Sequence, residues 1–183
     1  MRYRLCACLA EKNMNEQLFE AIYDQYADMI FRTAFLLTGS QFDAEDLTQE
    51  TFVIAMEHVH ELRDTSRLKA WLLRIMTNLA RKKRKTSLRE SSNEHVTELA
   101  DSQQIGTPST ENDLNAMPER IDMLNYLQQI PPKQREAVVL YYYNDMSVNE
   151  IARACGCLPG TVKSRLSNGR SRLRKIMERE SLI

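Results

Sequence analysis

The segment SVNEIARACGCLPGTVKSRLSNG, residues 147–169, predicts the architecture of the C-terminal half of the chain. Ser147 and Glu150 have the spacing of a capping box, in which each side chain bonds the other residue's backbone N–H at the start of a helix. Gly156 can end this short helix in the left-handed conformation, and Pro159 suits the first turn of a second helix. A short capped helix, a glycine turn and a longer helix form the helix-turn-helix pattern.

The second helix of this pattern is basic and amphipathic. Its apolar positions recur at helical spacing, at Val162, Leu166, Gly169, Leu173 and Ile176. No acidic residue occurs between Leu158 and Met177. Small polar side chains near the start of such a helix can enter the major groove of DNA, while flanking arginines hold phosphates. We therefore expect DNA binding; the alternative is a solvated basic face.

Helical spacing also extends upstream in both halves of the chain. Leu124 and Leu127 lie on a helix that ends before Pro131, and a further helix is expected from about 133 to 143. No long stretch alternates apolar and polar residues, so no sheet is indicated.

The N-terminal half contains three expected helices. The first ends at Gly39, and Asp43 is placed to cap the second. The third begins near Asp64, and its apolar stripe consists of Leu68, Trp71, Leu72, Ile75 and Leu79.

The stretch from Thr86 to Met117 separates the halves. It is rich in Ser, Thr, Asn, Gln and acidic residues and shows no sustained apolar period, so it cannot bury enough surface to offset chain entropy. The sequence predicts an all-α protein with two small helical domains joined by a flexible linker, the second a helix-turn-helix domain. The expected boundaries are an N-terminal extension over 1–14, a first domain over 15–86, a linker over 87–117 and a second domain over 118–183.

The formal net charge is zero, from 25 Lys+Arg and 25 Asp+Glu, which taken alone argues against a nucleic-acid partner. The charge is not evenly distributed, however. Residues 65–89 carry nine basic residues and no acidic one, and residues 133–183 carry ten basic against five acidic residues. The blocks 11–64 and 90–132 are acidic. The two basic blocks are therefore candidate binding surfaces for a polyanion.

The first basic block lies on the third helix. Opposite the apolar stripe run Arg74, Asn78, Arg81, Lys82 and Lys85. An amide can pair with a base edge, whereas a lysine mainly holds a phosphate. Trp71, the only tryptophan, can stack on an unpaired base, although its apolar neighbours favour a position in the core.

Asp46, Gln49 and Glu50 share one face of the second helix. No His or Cys stands at matching helical spacing, which favours a solvated or protein-binding face over a catalytic or metal site. No nucleophile–base set or phosphate loop occurs, so an enzyme is not expected.

The four cysteines form two C-x-C pairs, Cys6 with Cys8 and Cys155 with Cys157. This spacing lies outside the common zinc pattern, and disulfides are rare inside cells, so no metal and no cofactor are expected; redox sensing is the minor alternative. The apolar run from Leu5 to Ala10 is short for a signal core, and no run approaches the length of a membrane span. We expect a cytoplasmic protein without membrane insertion.

Three stretches in this order resemble the extracytoplasmic-function group of bacterial sigma factors, the two-domain initiation subunits of RNA polymerase. Residues 42–52, FDAEDLTQETF, are similar to the family's polymerase-binding helix. Residues 68–80, LKAWLLRIMTNLA, are similar to the helix that melts and reads the minus-ten element, and residues 160–166, GTVKSRL, to the minus-thirty-five recognition helix. The resemblance covers roughly residues 15–178.

The resemblance implies a non-enzymatic initiation subunit that binds core RNA polymerase and promoter DNA in a stress or envelope response and is held inactive by an anti-sigma partner. The implied polymerase contacts are Asp46, Gln49, Glu50 and Phe52. The implied minus-ten contacts are Trp71, Arg74, Asn78, Arg81, Lys82 and Arg84. The implied minus-thirty-five contacts are Thr161, Lys163, Ser164, Arg165, Ser167, Asn168, Arg170 and Arg172. The alternative is a stand-alone helix-turn-helix regulator with a helical sensing domain, which needs neither the polymerase-docking face nor a second basic helix.

The sequence departs from the family pattern at three positions. Asn168 and Gly169 stand where the family often has Arg and Ala, and Leu158 stands where a Ser or Thr cap is usual. Pro159 and Gly160 are therefore expected to shape the start of the last helix without a side-chain acceptor.

Overall fold

The structure is a computed structural model that describes residues 2–62, 64–93 and 118–180. Within these ranges the chain forms seven α-helices and no strand, which confirms the all-α class. The helices are α1 (Arg2–Thr38), α2 (Gln41–His58), α3 (Leu68–Asn93), α4 (Pro118–Gln129), α5 (Pro132–Val138), α6 (Val148–Cys155) and α7 (Pro159–Glu180).

Two of these helices extend beyond the expected boundaries. The backbone of residues 2–14, which were expected to form an N-terminal extension, is the first part of α1. Helix α3 runs on to Asn93, into the segment assigned to the linker. The rest of that segment, residues 94–117, lies outside the described residues.

The turn between α1 and α2 differs from the expectation in its capping residue. Gly39 has a φ of +75°, a conformation that glycine adopts without strain, and Ser40 follows with extended backbone. The Oγ of Ser40 accepts a hydrogen bond from the N–H of Asp43 at 3.2 Å. The prediction that Asp43 caps α2 was therefore wrong. Its carboxylate lies in the first turn, where the partial positive charge of the helix end favours it.

Helices α1, α2 and α3 enclose the core of the N-terminal half. Ile30, Leu47, Leu72 and Met76 are fully or almost fully buried there. Several threonines share this core, and their hydroxyls donate to carbonyls one turn earlier; Thr51, for example, bonds the carbonyl of Leu47 at 2.6 Å. These polar groups are thus satisfied within their own helices.

Helices α4 to α7 form the C-terminal half around Leu140, Ile151 and Val162, all completely buried. The helix expected over 133–143 is present, but its last five residues, Val139–Tyr143, widen into a π-helical turn. Two short 3₁₀ turns, Val59–Glu61 and Thr65–Arg67, lead from α2 into α3.

The two halves pack directly on each other. Helix α3 contacts α6, and α1 contacts α4, α5 and the π-helical turn. We call this packing the closed arrangement.

Candidate nucleic-acid interface

The helix-turn-helix has the local geometry that the sequence predicts. A carboxylate oxygen of Glu150 accepts from the N–H of Ser147 at 2.9 Å, and the Oγ of Ser147 accepts from the N–H of Glu150 at 3.3 Å. The hydrogen bonds from Ser147, first from its side chain and then from its backbone, lower the pKa of Glu150. Gly156 ends α6 with φ 58° and ψ 42°, and the N–H of Cys157 bonds the carbonyl of Ala152 at 3.0 Å. These contacts fix the angle at which α7 leaves α6.

Leu158, the residue before α7, carries no side-chain acceptor for the first N–H groups of the helix. The N–H groups of Thr161 and Val162 both donate to the carbonyl of Leu158, at 2.9 and 3.2 Å. The Leu158 side chain is 75% exposed, next to the solvent-facing start of the helix.

Most of the side chains implied as minus-thirty-five contacts lie on the solvent face of α7. Those that are exposed are Lys163, Ser164, Ser167, Asn168, Arg170 and Arg172. Thr161 and Arg165 are half-buried, and the guanidinium of Arg165 reaches the sulfur of Cys157 at 3.6 Å. The opposite stripe is buried at Val162, Leu166 and Gly169, so that the polar face is held outward.

Gly169 has a structural reason in this chain. A Cβ atom at this position would lie 2.8 Å from Cγ2 of Val138, which is closer than a real Cβ contact. Helix α7 therefore approaches α5 more closely than an alanine would permit. Glycine at this position, where the family often has alanine, leaves room for the side chain of Val138.

On α3, Arg74, Asn78 and Lys82 are exposed on successive turns. They form one polar face with an amide between two cations. Trp71 is half-buried and packs against the hydrophobic core, in agreement with the core position favoured by its neighbours.

The other two implied minus-ten residues point toward the second half of the chain. The guanidinium of Arg81 forms an ion pair with Glu136 of α5 at 2.9 Å, and it donates to the carbonyl of Cys155 of α6 at 2.8 Å. Arg84 is half-buried and lines a cavity between α3 and α5. In the closed arrangement these two side chains are thus separated from the exposed face of α3.

The start of α2 presents a mixed acidic and aromatic surface. Gln49 and Glu50 are exposed, and Asp46 is half-buried and pairs with Lys83 at 2.7 Å. Phe52, implied as a polymerase contact, is only 3% exposed. Its ring packs against that of Tyr23 in a tilted arrangement, with centroids 4.8 Å apart, so it supports α2 from the core.

Sequence reasoning missed the exposed aromatic of this surface. Phe42 is 76% exposed at the first turn of α2, with the Nζ of Lys83 5.7 Å from its ring centroid. Phe42 is the second residue of α2, two positions after the Ser40 cap, and this position was the signal that could have identified it. Lys83 also pairs with Asp43 at 2.7 Å, so one cation joins α3 to both acids at the start of α2.

Polar contacts hold the two halves together. Arg135 of α5 donates to the carbonyl of Leu37 at the end of α1 at 2.6 Å, and Gln128 of α4 donates to the carbonyl of Leu36 at 3.2 Å. Thr33 and Asn144 share a buried hydrogen bond of 3.2 Å. The carbonyls of Leu36 and Leu37, two of the four that the end of a helix leaves without partners, are thus satisfied by side chains of the other half.

Thiol chemistry and metal binding receive little support from the described residues. Burial raises the pKa of the Cys155 thiol to about 12, which keeps it protonated. The other C-x-C pair, at positions 6 and 8, lies outside the described side chains. In the part of the chain that is described, no group of three or more His, Cys, Asp or Glu side chains could hold a metal ion. No described helix is long and apolar enough to span a membrane.

Comparison with known proteins agrees with this geometry. Residues 22–89 match the family model "Sigma-70 region 2", and residues 120–173 match "Sigma-70, region 4". The first match covers α2, the second part of α1 from residue 22 onward and most of α3. The second covers α5, α6 and most of α4 and α7.

Similar proteins and structures belong to one family. The chain is 34% identical over 152 residues to the ECF RNA polymerase sigma factor SigL of Mycobacterium tuberculosis, covering 81% of this chain and 82% of the relative. It is 30% identical over 176 residues to SigW of Bacillus subtilis, covering 90% and 91% of the two chains. The sigma factor RpoE of Bartonella quintana, solved in complex with the anti-sigma factor NepR, superposes with a TM-score of 0.66 at 28% identity, covering 87% of this chain and 96% of RpoE. With two helical domains, a basic face on each, and relatives above 30% identity over most of its length, the chain belongs to the extracytoplasmic-function family of RNA polymerase sigma factors.

Proposed function

We propose that the chain binds core RNA polymerase through the exposed start of α2 and directs initiation from promoters with its two basic helices. The face of α3 formed by Arg74, Asn78 and Lys82 contacts the opened minus-ten strand, and the outer face of α7 contacts the minus-thirty-five duplex. The observation that carries this proposal is the pair of exposed basic faces on the two domains that match the family. The chain acts as a binding subunit in the cytoplasm and performs no chemistry of its own.

The polymerase-binding surface combines Asp46, Gln49 and Glu50 with the exposed ring of Phe42. An exposed aromatic surrounded by charged groups is typical of a protein interface, in which the ring supplies buried area and the charges supply specificity. Lys83 holds two acids of this surface at 2.7 Å, and so fixes α2 relative to α3. Docking on polymerase then determines where the minus-ten face of α3 lies.

The closed arrangement has to open for both promoter elements to be engaged together. Elements near positions minus ten and minus thirty-five are about 25 base pairs apart, or about 85 Å at 3.4 Å per base pair. A compact chain of this length has a radius of gyration of only about 16 Å. Residues 94–117 number 24, and covalent geometry allows them to span at most about 80–86 Å. Opening also releases Arg81 from Glu136, so that its guanidinium becomes available to a DNA phosphate.

An anti-sigma protein is the proposed inhibitory partner, in a stress or envelope response. This follows from the structural relative RpoE, which was solved with the anti-sigma factor NepR. The stand-alone regulator is disfavoured because residues 22–89 match sigma-70 region 2. A stand-alone regulator has no need of the polymerase-docking helix within this region.

Transcription in vitro tests the proposal. Purified chain added to core polymerase and a library of genomic promoters should produce discrete transcripts, which are absent with either component alone. Absence of any transcript, together with no complex on gel filtration, would refute the proposed function.

Charge reversal on α2 separates docking from folding. Glu50→Lys should abolish the polymerase complex, whereas Glu57→Lys, an exposed acid two turns along the same helix, should leave it intact. Asn78→Ala should reduce initiation by roughly 5- to 150-fold, as expected for the loss of a base contact worth about 1–3 kcal/mol, while polymerase binding is retained.

A further inference from the structure

A cavity of about 350 Å³ lies between the two halves of the closed arrangement. Its walls come from the end of α1, the start of α2, α3 and α5. Four cationic side chains line it, from both halves: Arg81, Lys83, Arg84 and Arg135. The sequence resemblance assigns no ligand to this space.

Two of the four cations already have carboxylate partners. Arg81 pairs with Glu136 at 2.9 Å, and Lys83 pairs with Asp43 at 2.7 Å. Both carboxylates line the same cavity, so they neutralise these two cations locally. Lys83 also pairs with Asp46 at 2.7 Å, so the two remaining cations, Arg84 and Arg135, exceed the remaining negative charge by one.

Arg135 is a buried cation with neutral partners. Its side chain bonds the carbonyls of Leu37 at 2.6 Å, of Gln128 at 2.9 Å and of Ile130 at 3.4 Å, together with the side-chain oxygen of Gln128. It is 7% exposed, and its Nε atom is buried without a hydrogen-bond partner. Burial first, and then the charge of Arg84, lower the pKa of Arg135 to about 10. Carbonyl dipoles satisfy four of its bonds but leave its charge uncompensated.

Arg84 is the matching cation on α3. Among the described residues, no carboxylate lies within ion-pair distance of it. The two arginines therefore bring like charge from the two halves to one cavity, which opposes the closed arrangement.

We propose that this cavity binds a small phosphate- or pyrophosphate-bearing anion between Arg84 of α3 and Arg135 of α5. The guanidinium of Arg84 is suited to this role, because its planar set of donors matches phosphate oxygens and its hydration is weak. The Nη hydrogens of Arg135 are already donated to carbonyl oxygens, so Arg135 contributes its positive charge. Water occupies about 30 Å³ per molecule, so the cavity has room for more than one phosphate group. An anion held there attracts both Arg84 and Arg135, which otherwise repel each other, and so stabilises the closed arrangement.

The test is direct binding of inorganic phosphate and of pyrophosphate to the full chain by titration calorimetry, with ionic strength held constant by potassium chloride. Wild-type chain should bind one equivalent. Arg84→Gln should weaken binding about tenfold or more, as expected for the loss of a charge-assisted contact. Lys133→Gln, which removes an exposed cation from α5 outside the cavity, should bind as wild type does.

Thermal unfolding supplies a second readout that also verifies folding. Without anion, Arg84→Gln should be as stable as wild type or more stable, because the repulsion with Arg135 is gone. With anion, the midpoint of wild type and of Lys133→Gln should rise with concentration, while that of Arg84→Gln should rise only at about tenfold higher concentration.

Tighter binding of pyrophosphate supports a diphosphate-bearing ligand, and tighter binding of phosphate supports a monophosphate. The proposal is overturned if neither anion binds at millimolar concentration, or if all three proteins bind equally. Neither polymerase nor promoter takes part, so the outcome is independent of the transcription experiment.

Discussion

The ion pair between Arg81 and Glu136 should stabilise the contact between the two halves by more than a surface ion pair does. The Nε and Nη2 atoms of Arg81 face the two carboxylate oxygens at 3.3 and 2.9 Å. The carboxylate side chain is 5% exposed and the guanidinium 27% exposed. Exposed pairs contribute about 0.2–1 kcal/mol, and breaking a fully buried pair costs about 3–5 kcal/mol. With one partner buried and the other partly solvated, we expect a coupling energy of about 1.5–2.5 kcal/mol.

A double-mutant cycle measures this coupling. Arg81→Gln, Glu136→Gln and the double variant are compared with wild type by urea unfolding, with the fluorescence of Trp71 reporting on α3. The exposed pair of Asp64 and Arg67, at 2.9 Å, provides the reference cycle through Asp64→Asn and Arg67→Gln.

The reference pair should couple only weakly, since both of its side chains are about half exposed or more. If Arg81 and Glu136 couple by no more than this reference pair, the reasoning from burial and geometry is refuted, and the closed arrangement does not depend on this contact. A coupling in the expected range means that Glu136→Gln shifts the balance between closed and open arrangements by about tenfold or more. The same variant should then bind single-stranded minus-ten DNA more tightly in the absence of polymerase.

Three further outcomes are expected. Gly169→Ala should lower the free energy of unfolding in urea by about 1–3 kcal/mol, because its Cβ would stand 2.8 Å from Val138. Val138→Ala in the same chain should relieve part of this loss. If the effects of the two substitutions on stability simply add, the contact is contradicted. The lowered pKa of Glu150, caused by hydrogen bonds from the N-cap serine, means that its contribution is present above the ordinary value of 4.5 and is lost as pH falls through the folded value. Glu150→Gln should therefore lower the stability at pH 7 and lower it less below pH 4, and an equal loss at both would be inconsistent with this linkage. Burial raises the pKa of Cys155 to about 12, so this thiol should be alkylated at pH 8 orders of magnitude more slowly than the half-buried Cys157. Peptide mass spectrometry measures both rates. Similar rates would show that Cys155 is accessible.

The elements of the fold that depend on neighbouring residues could be predicted from the sequence. The capping box at Ser147, the left-handed Gly156 and the helix start at Pro159 each need only a few residues in order, and each is present. The cap of α2 was assigned to the wrong residue because both Ser40 and Asp43 carry suitable side-chain oxygens. The positive φ of Gly39 decides between them, since it ends α1 one residue before Ser40.

The candidate site was predicted less completely, because helical periodicity shows which residues face the core of their own domain but not which residues face the other domain. Phe52 belongs to a conspicuous motif, yet its ring lies in the core, while Phe42 in the same motif is exposed. Arg81 has the spacing of the exposed face of α3, yet it pairs across the domain boundary. Arg135 and Glu136 are adjacent in sequence and bind different elements of the other half. Nothing in the local pattern indicates these long-range contacts.

The pairing of charges in the closed arrangement gives the neutral composition a physical meaning. The acidic start of α2 holds Lys83, and Glu136 holds Arg81, so two cations of the basic α3 are neutralised before any DNA is present. In the function proposed above, engaging both promoter elements requires the free chain to break the second of these pairs and to separate the domains, and both steps reduce its affinity. Polymerase can supply the free energy for this separation by binding the two domains at distant sites. The closed chain would then bind promoters weakly, and the same basic side chains would become available once the chain is docked on polymerase.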